Sequence, residues 1–391
     1  MVDEGVCQCV AGAVDADRLL QTARALVDVP SPTREAGAVS DKLSEILTVD
    51  GFDVERVDAD WSEAPAVVVR LDGEAPGRTI QFDGHLDTVH LPFKPSAVEN
   101  GVLKGSGASD MKGGVAAFVE AMRVLKSTGL LRKGAVMMTA HDHHEGPWGD
   151  KRQLKALIRE GYVGDAVLLP EYLSNQLPLS GRGMGIFRAT FSREGAPVHE
   201  VLRPEGLADA NAAGADFLIQ LKRLNEALVA RSSGVLRDSV FTGQIAGGEI
   251  YNQASVSCLV TGKRRWVRSG DGEVSVTEVE ALAQEAARRH DTILDFSCSQ
   301  QGDAFSVPED APIVQAFQSA YTATVGQPLV IGEKPFLDDG NLFMALAGIP
   351  PITHGPDAKG AHTLDEAVAV DEMVRVARVY ALTAISFGAV T

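Results

Sequence analysis

Thr79-Ile80-Gln81-Phe82-Asp83-Gly84-His85-Leu86-Asp87-Thr88-Val89, followed by Gly107-Ala108-Ser109-Asp110-Met111-Lys112-Gly113-Gly114, decides how this chain is read. The first stretch starts as a short apolar strand and breaks into a loop carrying a histidine and carboxylates. The second opens a segment, Met111 to Lys126, in which Val115, Phe118, Val119, Met122 and Leu125 recur at helical spacing. A strand that delivers polar groups at its C-terminal end and then feeds a helix is the unit of a doubly wound α/β fold. Imidazole nitrogen and carboxylate oxygen are ligand types for a divalent metal such as zinc or manganese. Asp87 lies two residues from His85, on the same side of an extended segment, where it can orient the imidazole. Taken singly, Asp110 reads as a helix N-cap and Asp87 as a turn-capping residue. Together the two stretches point to a metal site.

Working outward, Val136-Met137-Met138-Thr139 and Ala166-Val167-Leu168-Leu169 have the length of buried parallel strands, and Glu145 and Glu171 lie just past them. Residues 16–48 read as two helices around the break Pro30-Ser31-Pro32, with strands at 66–72 and 78–83. From about Gly185 the order becomes strand (185–192), helix (207–228), strands (239–247 and 254–266), helix (276–289) and strand (292–298). That is the split βαβ pattern of a ferredoxin-like domain. Helices at 309–325 and 366–386 resume the first pattern. The expectation is an α/β protein: a doubly wound catalytic domain with a mostly parallel sheet at 1–184 and 300–391, and an inserted ferredoxin-like α+β domain for dimerisation or lid closure at 185–299.

The ordered motifs resemble the co-catalytic metallohydrolases that include aminoacylases, acetylornithine deacetylase, succinyl-diaminopimelate desuccinylase and glutamate carboxypeptidase. His85 and Asp87 match the family's first landmark, and Asp110 its metal-bridging aspartate. Glu145 matches the Glu-Glu landmark, Glu171 the carboxylate after the next strand, and His362, in Gly360-Ala361-His362-Thr363-Leu364-Asp365-Glu366, the C-terminal histidine ligand. The resemblance implies that Asp110 bridges two metals, that His85 and Glu171 complete one, and that Glu145 and His362 complete the other. His199 matches a histidine that reaches a neighbouring subunit's active site and stabilises the oxyanion, although the usual His-Ala-Ser is here His199-Glu200-Val201. Asn252 and Arg265 match positions that hold a substrate carboxylate, for which arginine offers a bidentate grip. Gly355-Pro356 and Gly360, before His362, are expected to form the loop that frames the other end of the substrate.

The chain departs from that family at His141-Asp142-His143-His144-Glu145-Gly146-Pro147-Trp148-Gly149. Two consecutive glutamates usually stand here, the first a general base and the second a ligand. Aligned on Glu-Gly-Pro, Glu145 is the ligand and His144 holds the base position, where an imidazole can accept a proton near neutral pH. The other alignment makes Glu145 the base and puts His144, or another nearby group, at the metal. A mononuclear or hydrolytically silent site is the third reading.

With 391 residues and 45% hydrophobic composition the chain can bury sizeable cores in two domains. A net charge of −17 argues against nucleic acid and anionic membrane as partners; Arg264, Arg265 and Arg268 form a local basic island. The acidic start Met1-Val2-Asp3-Glu4-Gly5 lacks signal-peptide character, and no apolar run approaches a membrane span, so a cytoplasmic protein is expected. Cys7-Gln8-Cys9 lacks a second pair for metal binding and reads as a mobile terminal segment. The reading is a metal-dependent amidohydrolase or metallopeptidase-like deacylase for a small carboxylate-bearing substrate. It uses one or two divalent ions, zinc first and manganese or cobalt otherwise, with Asp87, His144 and Glu145 in catalysis, as a homodimer. The rivals are an aminohydrolase acting on a non-peptide C–N bond and a catalytically silent metal- or ligand-binding homologue.

Overall fold

The computed structural model describes residues 2–147, 149–232, 234, 236–334 and 336–390. It divides into two compact units, one of Met1–Leu179, Val307–Glu333 and Asp338–Thr391, the other of Ser180–Ser306 with Lys334–Leu337.

The first unit opens with helices α1 (Glu4–Ala13), α2 (Ala16–Val27) and α3 (Gly37–Val49). The terminal segment expected to be mobile is thus helical: Asp3 caps α1 by accepting from the Val6 N–H, and Val10 is buried. Strands β1 (Val54–Val57), β2 (Ala66–Asp72) and β3 (Ala75–His85) follow, then α4 (Gly113–Thr128), β4 (Lys133–His141), α5 (Arg152–Arg159) and β5 (Ala166–Leu169). The second unit supplies β6 (Gly183–Ser192), α6 (Ala210–Arg231), β7 (Ser239–Gly247), β8 (Ser257–Trp266), α7 (Gly272–Arg289) and β9 (Ile293–Gly302). The first unit resumes with α8 (Pro312–Val325), α9 (Gly340–Ala347), β10 (Pro351–Thr353) and α10 (Val370–Gly388).

Among the described residues, the central sheet of the first unit runs β1-β2-β4-β3-β5-β10. The pairings of β3 with β4, β3 with β5, and β5 with β10 are parallel, whereas β1–β2 and β2–β4 are antiparallel. Of the parallel strands, β4 and β5 are near-continuous apolar runs because both faces are covered. Helix α4 is buried along most of its length, with Phe118 stacked on Phe82 of β3 (4.5 Å between centroids) and against Tyr380 of α10 (4.8 Å). Its first turn lies against the chain beyond β5: a Cβ on Gly114 would fall 2.4 Å from the Pro170 carbonyl oxygen. Glu120, fully buried on α4, binds Arg18 of α2 at 2.6 Å and ties the N-terminal helices to this layer.

In the second unit the sheet order is β7-β8-β6-β9, all antiparallel, with α6 and α7 packed on it over Phe187, Phe191, Phe217 and Val260. In chain order this is strand-helix-strand-strand-helix-strand, the ferredoxin-like pattern. Arg264 belongs to its structure, paired with Asp238 (3.1 Å) and Glu278 (3.0 Å). No helix among the described residues is long and apolar enough to cross a membrane.

Candidate metal centre

The carboxyl ends of three neighbouring parallel strands deliver the chemistry. His85 is the last residue of β3 and faces His141, the last of β4, across the ladder; Glu171 follows β5 after Pro170. His85 is fully buried. Its Nδ1 lies 2.9 Å from the backbone carbonyl oxygen of Asp87 and 3.6 Å from the Asp87 carboxylate. Donation to that carbonyl leaves the Nε2 lone pair free to coordinate, 3.2 Å from Asp110 Oδ1. The Asp87 carboxylate accepts instead from the backbone N–H groups of Glu145 (2.8 Å) and His144 (3.1 Å), so it sets the path of that loop.

Asp110 does not cap α4, whose N-cap is Lys112. It sits in an irregular turn, and its second oxygen, Oδ2, is 3.2 Å from His362 Nε2. The same His362 nitrogen is 3.2 Å from Glu145 Oε2. Asp110 therefore stands between two imidazoles, one at each carboxylate oxygen. Two trios, His85–Asp110–Glu145 and His85–His144–Glu171, each place their ligand atoms within 4.8 Å of one another, with His85 common to both.

The charge balance fits a cation. Burial, reinforced by the neighbouring charge of Asp110, pushes the Glu171 carboxyl well above its ordinary range. Hydrogen bonds to Asp110 and Glu145 push His362 up to about 10. For His85 burial opposes charging, yet Asp110 and Asp87 prevail and raise it well above its usual value. In this arrangement protons on the imidazoles offset crowded carboxylates, the part that divalent ions take with neutral histidine and ionised carboxylate ligands. A nitrogen and oxygen donor set of this kind suits zinc or manganese.

The histidine-rich loop disperses. His144 stacks on His85 (3.9 Å between centroids, 17° between planes) and puts Nδ1 2.7 Å from Asp339 Oδ2 and 2.7 Å from Lys151 Nζ. Lys151 also pairs with Asp339 Oδ1 at 2.8 Å. Burial holds the His144 imidazole below its ordinary pKa, against the opposing charge of Asp339. His141 faces Asp83 (3.4 Å) and Asp339 (3.5 Å), whereas His143 turns away, edge-on to Trp61. Trp148 lies outside the described residues. Sequence reading missed Asp83, Lys151 and Asp339. The pair Asp338-Asp339 ahead of the short apolar helix α9 was the available signal, but only the fold brings it under His144.

The remaining candidates lie in the second unit. Val198–His199 pairs antiparallel with Gln253–Ala254, bringing Asn252 Nδ2 to 3.2 Å from His199 Nε2. His199 Nδ1 lies 2.9 Å from Glu200 Oε2. Arg265, on β8, keeps a buried Nη1 without a hydrogen-bond partner among the described residues. Burial, then the charge of Arg182, lowers its guanidinium to about 10. An unsatisfied guanidinium nitrogen of this kind is suited to an anion.

Residues 82–386 match the model of peptidase family M20/M25/M40. A succinyl-diaminopimelate desuccinylase of Alkalilimnicola ehrlichii is 27% identical, over 92% of this chain and 96% of its own. Among solved structures, a tripeptidase from Staphylococcus aureus superposes with a TM-score of 0.80 at 18% identity, covering 96% of this chain and 99% of its own. A dinuclear metal-binding peptidase of the M20 family from Bacillus subtilis gives a TM-score of 0.68 at 15% identity, over 95% and 97% of the two chains. The chain belongs to peptidase family M20/M25/M40, and it is a metal-dependent hydrolase of amide C–N bonds.

Proposed function

We propose that this enzyme cleaves the N-acyl or peptide amide of a small carboxylate-bearing substrate, with one or two divalent ions held by His85, Asp110, Glu145, Glu171 and His362. Zinc is the first choice of metal, and manganese or cobalt the alternatives. The observation that carries the reading is the buried trio His85–Asp110–Glu145, whose ligand atoms lie within 4.8 Å of one another, with His362 against both carboxylates. Ions bound there would lower the pKa of a water and polarise the scissile carbonyl. Asp110 supplies one oxygen to each side, and Glu145 joins His362 at one of them.

His144 is assigned the proton. Donation from its Nδ1–H to Asp339 Oδ2 leaves Nε2 with the lone pair that takes a proton from water and returns it to the leaving amine. Arg265 and Asn252 hold the substrate carboxylate, and His199 steadies the oxyanion. The inserted unit pairs with its twin in a homodimer, and the enzyme works in the cytoplasm. N-succinyl amino acids lead the substrates to assay, because a relative named for desuccinylation spans nearly the whole chain.

The test is amine release from N-succinyl, N-acetyl and N-aminoacyl amino acids after reconstitution with zinc, manganese or cobalt. Turnover of at least one class, abolished by a chelator and restored by metal, is the expected result. Metal uptake with no turnover across the panel would favour a silent binding protein. Ammonia release from a non-peptide substrate would favour an aminohydrolase.

A further inference from the structure

Glu366 closes the same C-terminal stretch that carries His362, and it is 5% exposed. Its carboxylate grips the Asp110 loop, more than 250 residues away in sequence. Oε1 accepts from the Gly107 N–H at 3.1 Å. Oε2 accepts from the Ser109 N–H (3.2 Å), the Ser109 hydroxyl (2.9 Å) and the Asp110 N–H (3.1 Å). The Glu366 backbone carbonyl also accepts from the Gly105 N–H at 3.3 Å.

The Asp110 loop is shaped to be gripped. Gly107 has φ +79°, and a Cβ there would meet Thr88 Cγ2 at 2.8 Å, so a side chain is disfavoured at the turn that points these N–H groups at one anion. Immediately after Glu366, Ala367–Ala369 pairs with Val102–Lys104, so the clamp is anchored on a β-ladder. Immediately before it, the Thr363 hydroxyl donates to the Gly360 carbonyl at 2.7 Å and closes the turn that carries His362. One buried carboxylate thus joins two loops, each bearing a candidate ligand, at a point four residues from one and hydrogen-bonded to the backbone of the other.

We propose that Glu366 is a positioning residue that holds the Asp110 carboxylate and the His362 imidazole at their mutual spacing before metal arrives. The proposal rests on the assignment of Asp110 and His362 as ligands. Groups that orient metal ligands typically change affinity by about 10–100-fold when altered. Glu366→Gln keeps size and shape but turns an NH2 towards backbone donors, so it breaks the grip without opening a cavity.

The experiment measures zinc dissociation constants by chelator competition on metal-free protein, beside metal-free Tm. Glu366→Gln is expected to weaken zinc binding by about 10–100-fold. Ser109→Ala, which removes one uncharged donor and is the variant of choice if Glu366→Gln does not fold, is expected to weaken it by about 3–10-fold at nearly unchanged Tm. Wild-type zinc affinity in either folded variant would overturn the proposal, whatever its Tm; a purely structural Glu366 would lower Tm and leave affinity per folded molecule untouched. His85→Ala separates this from failure of the metal site. If it too binds zinc normally, the ligand assignment falls; if it loses zinc while Glu366→Gln and Ser109→Ala keep it, only the clamp falls.

Discussion

At the scale of single residues, ligand and proton carrier make opposite predictions. His85→Ala, Asp110→Ala and His362→Ala should each lose bound metal and activity while far-ultraviolet dichroism stays close to wild type. Full metal content in all three purified variants would eliminate the site. At the two adjacent positions, Glu145→Gln should weaken metal binding, because its Oε2 shares His362 with Asp110. His144→Ala should keep metal and lose about 10²–10⁴ in kcat, the usual contribution of a positioned general base. The reverse pattern, in which Glu145→Gln retains metal but not turnover, would transfer the proton to Glu145. Adjacent residues separate in this way because Glu145 reaches His362 whereas His144 lies over His85 and is held by Asp339.

At the scale of elements, helices α4 and α10 press the parallel strands into place, and the site inherits their geometry. Phe118→Ala should cost about 3–5 kcal/mol in chemical denaturation of metal-free protein, since the ring is fully buried between Phe82 and Tyr380. A loss under about 1 kcal/mol would mean that this layer carries little of the stability. His354, just beyond β10, gives an acid signature. Burial, then the charge of Arg375, lowers its pKa from 6.5 to about 3. The folded state therefore binds fewer protons, so stability is complete above pH 6.5 and is lost as pH falls towards 3. The slope in that window is about 1.4 kcal/mol per pH unit from this group. His354→Phe, among Phe317 and Tyr321, should remove that slope. A difference in stability between variant and wild type that stays constant from pH 7 to 4 would refute the assignment.

At the scale of the whole molecule, the proposed homodimer sets the test for His199. If the inserted unit dimerises and His199 acts across the interface, mixing His199→Ala with His85→Ala subunits should restore part of the activity, provided the subunits exchange. No recovery despite demonstrated exchange would place His199 within its own subunit or outside the mechanism. Gel filtration checks the dimer separately.

The sequence by itself determined the strand and helix order of the second unit and the run from β2 to β5 of the first, because buried parallel strands are short apolar runs and α4 repeats its apolar residues at helical spacing; α1, β1, α9 and β10 were not legible. Through its resemblance to a family's ordered motifs it also singled out His85, Asp110, Glu145, Glu171 and His362 as candidate ligands. Tertiary structure decided the rest. The orienting acceptor for His85 is the Asp87 carbonyl rather than its carboxylate, a choice between two groups on one residue that spacing cannot make. The two N-terminal helices depend on burying Val10 of α1 and on Glu120 holding Arg18 of α2, partners about a hundred residues apart. Asp339 under His144, and Glu366 on the Asp110 loop, are likewise contacts between distant segments. A carboxylate in a loop has the same local signature whether it faces water or a buried imidazole, and only the packed fold distinguishes the two.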